Sequence, residues 1–224
     1  KTKERELINS VDFILPLSSK DEEKIKKIAN KPSFYIPVSI NNFEQKADYS
    51  NSSLCFIGSF NWRPNSEGLL WFIKDVFPKI KQHFPQITVN IAGSQSEKFK
   101  EFKGLDGVNL IGFVENSNDF LLQNGIFIAP LLSGSGIKMK VLEAFSLGLP
   151  CVLTEIAAEG LDLPASIKIS KTADEFTTDL LELIRNESAR KQRGADSYSF
   201  VSYEFSDKKI SSDLKECLVS ISSK

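Results

Sequence analysis

Short apolar runs alternate with helical patterns along the middle of the chain, and this alternation constrains the fold more than any other feature. The strands that it predicts are Leu54–Gly58, Ile87–Ala92, Val108–Phe113, Ile126–Ala129, Cys151–Thr154 and Ile167–Ile169. The helices that it predicts are Asn65–Phe84, Glu97–Phe102, Asn118–Gln123, Lys138–Leu147 and Ala173–Arg185. Strands that are apolar on both faces need a helical layer on each side. The sequence therefore predicts an α/β fold, with a Rossmann-like parallel sheet and helices on both faces.

The two ends of the chain follow a different pattern. The elements predicted there are helices at Glu4–Asn9, Asp21–Ala29 and Phe205–Ile221, a strand at Val11–Leu15 and an extended piece at Phe34–Pro37. A polar linker is predicted over Asn41–Ser53, and a second polar stretch between Arg185 and Phe205. The N-terminal segment is too short for a core of its own, and no strand follows the last helix. Both are therefore expected to pack on other parts of the protein.

One candidate binding element is the turn after the first strand, because ligands of a parallel sheet bind outside the carboxyl ends of its strands. Gly58 lets the backbone of Gly58-Ser59 approach a ligand, and Arg63 offers a bidentate contact to phosphate. Pro64 and Asn65 are predicted to open the next helix, with the Asn65 side chain capping its free amides. An ordinary strand–helix turn explains the same residues, since the sequence contains neither a G-x-G-x-x-G nor a Walker motif.

A second candidate is the segment Gly134-Ser135-Gly136-Ile137-Lys138, which lies between an apolar strand and a helix. Its small residues allow backbone amides to converge on an anion. Lys138 and Lys140 fall in the predicted first helical turn, which is unfavourable for a cation unless an anion binds nearby. Glu143 lies one and a half turns later in an apolar stretch, so we interpret it as an acceptor for bound hydroxyl groups. A solvated surface glutamate is the alternative.

Charge and composition exclude several other classes. The chain has 28 Lys and Arg against 29 Asp and Glu, so no overall field attracts nucleic acid, and an anion must be held locally. The cysteines Cys55, Cys151 and Cys217 are scattered, which predicts buried thiols in a reducing, cytoplasmic compartment. His83, the only histidine, lies near the end of the predicted helix Asn65–Phe84 and is interpreted as a surface or helix-end residue. The polar first residues predict no signal peptide.

Five segments together resemble the donor-binding domain of the retaining glycosyltransferase family 4 (glycosyl transferases group 1), whose two-domain architecture is called GT-B. The resemblance covers Leu54 to Arg185. The five segments are Gly112-Phe113-Val114, Phe127-Ile128-Ala129-Pro130, Gly134-Ser135-Gly136-Ile137-Lys138-Met139-Lys140, Leu142-Glu143-Ala144-Phe145-Ser146-Leu147-Gly148-Leu149-Pro150 and Ala158-Glu159-Gly160-Leu161.

The resemblance also implies a domain organisation. Residues 1–45 would be a remnant of the N-terminal acceptor domain with the interdomain linker, and residues 46–200 the nucleotide-sugar-binding domain. Residues 201–224 would be the helix that crosses back to the acceptor domain. Since that domain is expected to be missing, the fragment alone is expected to bind donor without transferring the sugar.

The family pattern implies roles for individual residues. The turn after Gly58 would approach the donor diphosphate, the backbone of Phe113 and Val114 would contact the nucleobase, and Glu143 would accept hydrogen bonds from the ribose hydroxyls. Ser135 stands where the family has a second glutamate that contacts the transferred sugar. Ser59 and Pro64 stand where the family has Arg and Lys, so Lys138 is expected to replace the missing cation at the diphosphate.

The implied reaction is transfer of a sugar, with retention, from a nucleotide diphosphate sugar to an acceptor hydroxyl, without a metal or other cofactor. The implied acceptor is a glycan or lipid-linked glycan in polysaccharide or glycoconjugate biosynthesis, in the cytoplasm or at the inner face of the membrane. Two alternatives are a non-catalytic module for nucleotides or sugar phosphates and a flavodoxin-like signalling domain. The second requires an acidic cluster after the first strand, which Gly58-Ser59-Phe60-Asn61 lacks.

Overall fold

The protein is built on a sheet of parallel strands. The computed structural model describes residues 2–29, 31–40, 46–96 and 99–222. Within these ranges the strands are β1 (Leu54–Ile57), β2 (Val89–Ala92), β3 (Val108–Gly112), β4 (Ile126–Ala129), β5 (Cys151–Thr154) and β6 (Ile169–Ser170). They lie side by side in the order β3-β2-β1-β4-β5-β6. The predicted Rossmann-like α/β class is confirmed, and the last strand begins two residues later than predicted.

Helices precede, separate and follow these strands. They are α1 (Thr2–Ser10), α2 (Ser19–Ile28), α3 (Arg63–Trp71), α4 (Phe77–His83), α5 (Ser117–Leu122), α6 (Met139–Ser146), α7 (Ala173–Arg185), α8 (Glu187–Glu204) and α9 (Asp207–Ser222). A π turn, Phe72–Val76, joins α3 to α4, and a 3-10 turn lies at Lys100–Phe102. No helix in the described part of the chain is long and apolar enough to cross a membrane.

The central strands β1, β4 and β5 are buried on both faces, as their apolar sequences predict, whereas alternate residues of β3 are exposed. In β1, Cys55 packs into a core cluster with side chains of α5, α6 and α8. Leu54 and Phe56, which point the other way, pack into a second cluster with α3, α4 and α7. Alternate residues of β4 and β5 divide between the same two clusters. Helices therefore cover both sides of these strands.

The polar stretch predicted after Arg185 is in fact the helix α8. The prediction was wrong because the buried side of this helix is largely polar, with Arg190, Arg193, Gly194, Ser197 and Val201. Arg190 donates hydrogen bonds to main-chain oxygens, including that of Tyr49 at 2.7 Å. A Cβ on Gly194 would lie 2.2 Å from the main-chain oxygen of Gly148, so the glycine allows α8 to approach α6 closely. Hydrogen bonds and close backbone contact therefore hold α8 in place, and the apolar stripe by which a helix is recognised in a sequence is absent from it.

The long helix predicted over Asn65–Phe84 begins two residues earlier and is interrupted by the π turn. Pro78 lacks the amide hydrogen that a regular α-helix needs at that position. The π turn is closed by the amide of Phe77, which donates to the carbonyl of Phe72. The helix after it ends at His83, one residue before the predicted end.

Two predicted elements are shorter than expected. The strand Val11–Leu15 is reduced to a single parallel bridge between Ile14 and Ser33. The helix predicted over Glu97–Phe102 is described only by its 3-10 turn, because Glu97 and Lys98 lie outside the described residues. Residues 41–45 of the predicted linker also lie outside them.

The buried ion pair between α7 and α8 gives a test of this packing. Arg193 donates to Asp179 through two nitrogens, at 2.9 and 3.0 Å. We expect Asp179→Ala to lower the free energy of unfolding by about 3–5 kcal/mol, because it leaves a buried guanidinium without its carboxylate. Urea denaturation measures the change. The control is Glu182→Ala, which removes a more exposed carboxylate paired with Lys168 and is expected to cost less than about 1 kcal/mol. Equal losses of unfolding free energy in the two variants would contradict the assignment of Arg193 and Asp179 as a buried, stabilising ion pair.

Candidate functional site

The turn after β1 is held against the turn after β2 at the carboxyl edge of the sheet. The amide of Gly58 donates to the carbonyl of Ala92 at 3.0 Å. Gly93 has φ +139°, and a Cβ there would lie 1.9 Å from the oxygen of Gly58, so the two backbones touch. The hydroxyl of Ser94 donates to that of Ser59 at 2.8 Å. The predicted pair Gly58 and Ser59 is thus part of a fixed junction between two strand ends.

Asn65 does not cap a helix, contrary to the prediction. The helix α3 begins two residues earlier, and Trp62 occupies the cap position without a side-chain hydrogen bond. Asn65 is buried, with 3% of its surface exposed. Its Nδ2 donates to the carbonyl of Ser59 at 2.8 Å, and its Oδ1 accepts from Lys140 Nζ at 2.6 Å. Asn65 therefore connects the turn after β1 to the first turn of α6.

The glycine-rich segment before α6 forms an open loop beside Trp62. Gly134 and Gly136 have φ values of +110° and +77°, which favour glycine. Ser135 is exposed between them. A Cβ on Gly134 would lie 3.1 Å from the Trp62 ring, so the indole packs against the loop backbone.

Lys138 is the N-cap residue of α6 and does not lie in its first turn as predicted. Its side chain is 3% exposed, and Nζ lies 3.9 Å from Glu159 Oε2. The same ammonium donates to the carbonyl of Gly136, which ties it to the glycine-rich loop. Burial lowers the pKa of Lys138, and the charge of Glu159 opposes that shift. Lys138 thus has a carboxylate near it before any ligand binds.

Glu159 also brings the N-terminal segment to the site. Its Oε1 accepts from Lys20 of α2 at 2.7 Å, and the pKa of Glu159 is lowered chiefly by this bond. Its Oε2 is buried and accepts no hydrogen bond within the described ranges. Gly160 lies against Ser18, where a Cβ would come within 3.2 Å of the serine Cβ. Lys20 is a site residue that the sequence did not indicate.

Lys140 occupies the most unusual electrostatic position in the site. Its ammonium lies 4.0 Å above the Phe56 ring and donates to the neutral oxygen of Asn65. Burial lowers the pKa of Lys140 to about 7, and repulsion from Lys138 contributes to the shift. At neutral pH, Lys140 of the unliganded chain is therefore divided between its charged and its neutral form.

These groups surround a cavity of about 290 Å³. It is lined by Trp62, Asn65, Ser135, Ile137, Lys138, Met139 and Lys140. Three of the predicted site residues, Ser135, Ile137 and Lys138, lie together here. Trp62, Asn65 and Met139 were missed, and Lys140 was noted only as an unfavourable first-turn cation.

The other predicted site residues lie apart from this lining. The Arg63 side chain is 85% exposed and is paired with Glu67 at 2.6 Å. Phe113 is 73% exposed after β3, and Val114 packs on the core. Glu143 is partly buried, which raises the pKa of its carboxyl. Their roles stay predictions.

The arrangement is suited to an anion with more than one charged oxygen. Two ammonium groups face one cavity, and Glu159, the carboxylate beside Lys138, is shared with a third lysine, Lys20. The positive φ values of the loop are of the kind that lets successive backbone amides turn toward one anion. No group of three or more His, Cys, Asp or Glu that could hold a metal occurs in the described part of the chain.

The chain is similar to a known family and to proteins of known sequence and structure. The family described as "Glycosyl transferases group 1" matches residues 51–186 of the chain. A Klebsiella pneumoniae protein described as an uncharacterized 44.6 kDa protein in the cps region is 28% identical over 225 residues. The match covers 96% of this chain and 58% of that protein.

Two solved structures have the same fold at low identity. A mutant of S. aureus TarM, in complex with fondaparinux, alpha-GlcNAc-glycerol and UDP, has a TM-score of 0.78 at 16% identity, over 96% of this chain and 46% of that chain. Anabaena HepE in complex with UDP-glucose has a TM-score of 0.75 at 13% identity, over 98% and 67% of the two chains. The present chain thus spans less than half of TarM and little more than half of the Klebsiella relative.

The buried ammonium of Lys140 predicts a pH-dependent stability. Because the pKa of Lys140 is about 7 in the folded chain against an ordinary 10.5, unfolding takes up a proton between these values. Stability from this group therefore rises with pH, by at most about 1.4 kcal/mol per pH unit. We expect the unliganded wild type to gain stability relative to Lys140→Met between pH 6 and pH 9, as measured by urea denaturation.

The matched control is Lys103→Met, which removes an exposed lysine. The stability difference between this variant and the wild type is expected to stay constant over the same range. A constant difference for Lys140→Met as well would contradict the lowered pKa.

Proposed function

The chain belongs to the glycosyl transferases of group 1, and we propose that its cavity beside α6 binds the diphosphate of a nucleotide-sugar donor. The observation that carries the proposal is the convergence of Lys138, Lys140 and the Gly134–Gly136 loop on one cavity. A diphosphate supplies the negative charge that these groups lack. The site lies at the carboxyl edge of the sheet, where this class of fold binds nucleotides.

UDP is the first nucleotide to test. TarM and HepE have the same fold as this chain and were solved with UDP or UDP-glucose. With the diphosphate at the cavity, the nucleoside extends along the same edge of the sheet. The exposed ring of Phe113 and the backbone of Val114 would then contact the base.

Glu143 is proposed to accept hydrogen bonds from the two ribose hydroxyls. It lies on α6, the helix that carries Lys140, and is partly buried. No hydrogen bond to its carboxylate is formed within the described residues, so both oxygens are available to a ligand. An ionised carboxylate accepts two hydroxyl donors at once.

In the complete protein, the proposed reaction is transfer of the sugar to an acceptor hydroxyl. The bond between the anomeric carbon and the diphosphate oxygen breaks, a bond from the anomeric carbon to the acceptor oxygen forms, and the proton of the acceptor hydroxyl is released to solvent. The nucleoside diphosphate leaves with increased negative charge, which Lys138 and Lys140 would stabilise without a metal. Retention of configuration and a hexose as the transferred sugar are part of the proposal.

The acceptor is proposed to be a glycan or lipid-linked glycan in polysaccharide biosynthesis. The Klebsiella relative, described as belonging to a cps region, supports that context. Acceptor binding would belong to a further domain, because the chain spans 58% of that relative. The fragment is therefore expected to bind donor and to transfer nothing alone.

A non-catalytic nucleotide-binding module is the second candidate. Ser135 favours it, because a serine stands where the family has a sugar-contacting glutamate. Titration of UDP-, GDP- and dTDP-sugars against the chain tests the binding site. Release of nucleoside diphosphate by the full-length protein distinguishes the candidates: donor binding without release or transfer supports the module, and absence of all binding overturns both.

The ribose contact gives a quantitative prediction. We expect Glu143→Ala to weaken binding of UDP by about 1–3 kcal/mol, because charged hydrogen bonds to the ribose are lost. Isothermal titration calorimetry measures the change. Glu101→Ala, which removes an exposed carboxylate of the 3-10 turn, should leave the affinity unchanged. Equal affinities for the Glu143→Ala variant and the wild type would rule out the ribose assignment.

A further inference from the structure

We infer that Lys140 takes up a proton when the site binds a diphosphate, so that donor binding is coupled to pH through this one side chain. The inference rests on the proposed function and adds to it a specific residue and a measurable proton. The inference assigns the diphosphate-responsive cation to Lys140 and not to Arg63, because the Arg63 side chain is 85% exposed and is paired with Glu67.

The groups that contact the Lys140 ammonium are uncharged. Its ammonium has three hydrogens to donate. One is donated to the amide oxygen of Asn65 at 2.6 Å, and the ammonium lies 4.0 Å from the centre of the Phe56 ring. Neither group carries a charge. No carboxylate lies within 4.0 Å of this ammonium in the described part of the chain, so its charge is unbalanced there.

The charged groups on the surrounding elements do not balance the positive charge of Lys140. Lys138, in the loop before α6, repels the ammonium. On α3, Arg63 and Glu67 are paired with each other. In the loop after β5, Glu159 lies between Lys20 and Lys138. Glu143, three residues along the same helix, is not hydrogen-bonded to this ammonium, whose acceptor in the described residues is Asn65.

The two lysines of the cavity therefore differ in kind. Lys138 has the carbonyl of Gly136 and the carboxylate of Glu159 beside it, and these hold its charge before a ligand arrives. Lys140 has a neutral amide and an aromatic ring, and burial with repulsion lowers its pKa to about 7. In the free chain the charge of Lys138 thus has a carboxylate beside it, and the charge of Lys140 has none within 4.0 Å in the described residues.

A bound diphosphate favours the protonated form of Lys140. Its oxygens supply the counter-charge that the protein does not, which raises the pKa of Lys140 and draws a proton from solvent. Above pH 7 most of the free chain has a neutral Lys140, so protonation accompanies binding and lowers the apparent affinity. The affinity is therefore expected to fall as pH rises.

The test is calorimetric titration of UDP into the 224-residue chain at pH 7.0 and pH 8.5, in two buffers of different ionisation enthalpy. The difference in heat between the buffers gives the number of protons taken up. We expect roughly half a proton at pH 7.0 and nearly one at pH 8.5, with the dissociation constant higher by about tenfold at the higher pH. The second ionisation of the UDP phosphate, near pH 6, lies below this window.

Three variants identify the titrating group. Lys140→Arg keeps a cation across the whole range, so its proton uptake and pH dependence should disappear while binding remains. Lys140→Met should bind weakly at both pH values without uptake, and it replaces the arginine variant if that one does not fold. Lys138→Arg is the matched control and should retain the proton uptake of the wild type.

The outcomes separate this inference from the proposed function. Binding of UDP by the wild type without proton uptake, or uptake that persists in Lys140→Arg and Lys140→Met, overturns the inference and leaves donor binding intact. Uptake lost in Lys138→Arg and retained in Lys140→Arg overturns it in favour of Lys138. If neither UDP nor GDP binds the wild type at either pH, the proposed function fails together with the inference.

Discussion

Burial of the central strands on both faces is the constraint on which the rest of the structure depends. Every residue of β4 and β5 is buried, so these strands have no place for a polar side chain that must meet solvent. Polar side chains that contact solvent therefore lie in the loops that follow these strands. Because the strands are parallel, the loops that follow β1, β4 and β5 meet at one edge, and α6 begins there. The cavity with Lys138 and Lys140 is a consequence of this topology.

The sheet and part of the cavity could be predicted from sequence because their signals are local. Apolar runs mark strands, and the glycines next to Ser135 mark a loop that opens a helix. The rest depends on contacts between distant residues. Asn65 and Lys140 are 75 positions apart, and Lys20 and Glu159 are 139 apart. No local pattern could show that the asparagine serves a lysine of another helix instead of capping its own.

The error at α8 has a related cause. A helical pattern is recognised by an apolar stripe, but α8 buries two arginines, a glycine and a serine. Arg193 can be buried because Asp179 of α7 supplies its carboxylate, and Arg190 because main-chain oxygens accept its hydrogens. Sequence hydropathy records the charge of these side chains and not the partners that compensate it. For the same reason, the sequence could not show that Lys138 lies beside a carboxylate while Lys140 lies beside a neutral amide.

That difference bears on catalysis as well as on binding. With Lys140 protonated, Lys20, Lys138 and Lys140 against Glu159 leave two net positive charges around the site; with Lys140 neutral, one remains. In the proposed reaction, the diphosphate becomes more negative as its bond to the sugar breaks. Groups that interact more strongly with the departing diphosphate than with the bound donor accelerate the reaction. A proton acquired at Lys140 on binding would therefore supply positive charge where the leaving group requires it, while the unliganded chain avoids the cost of a fully charged and unpaired buried lysine.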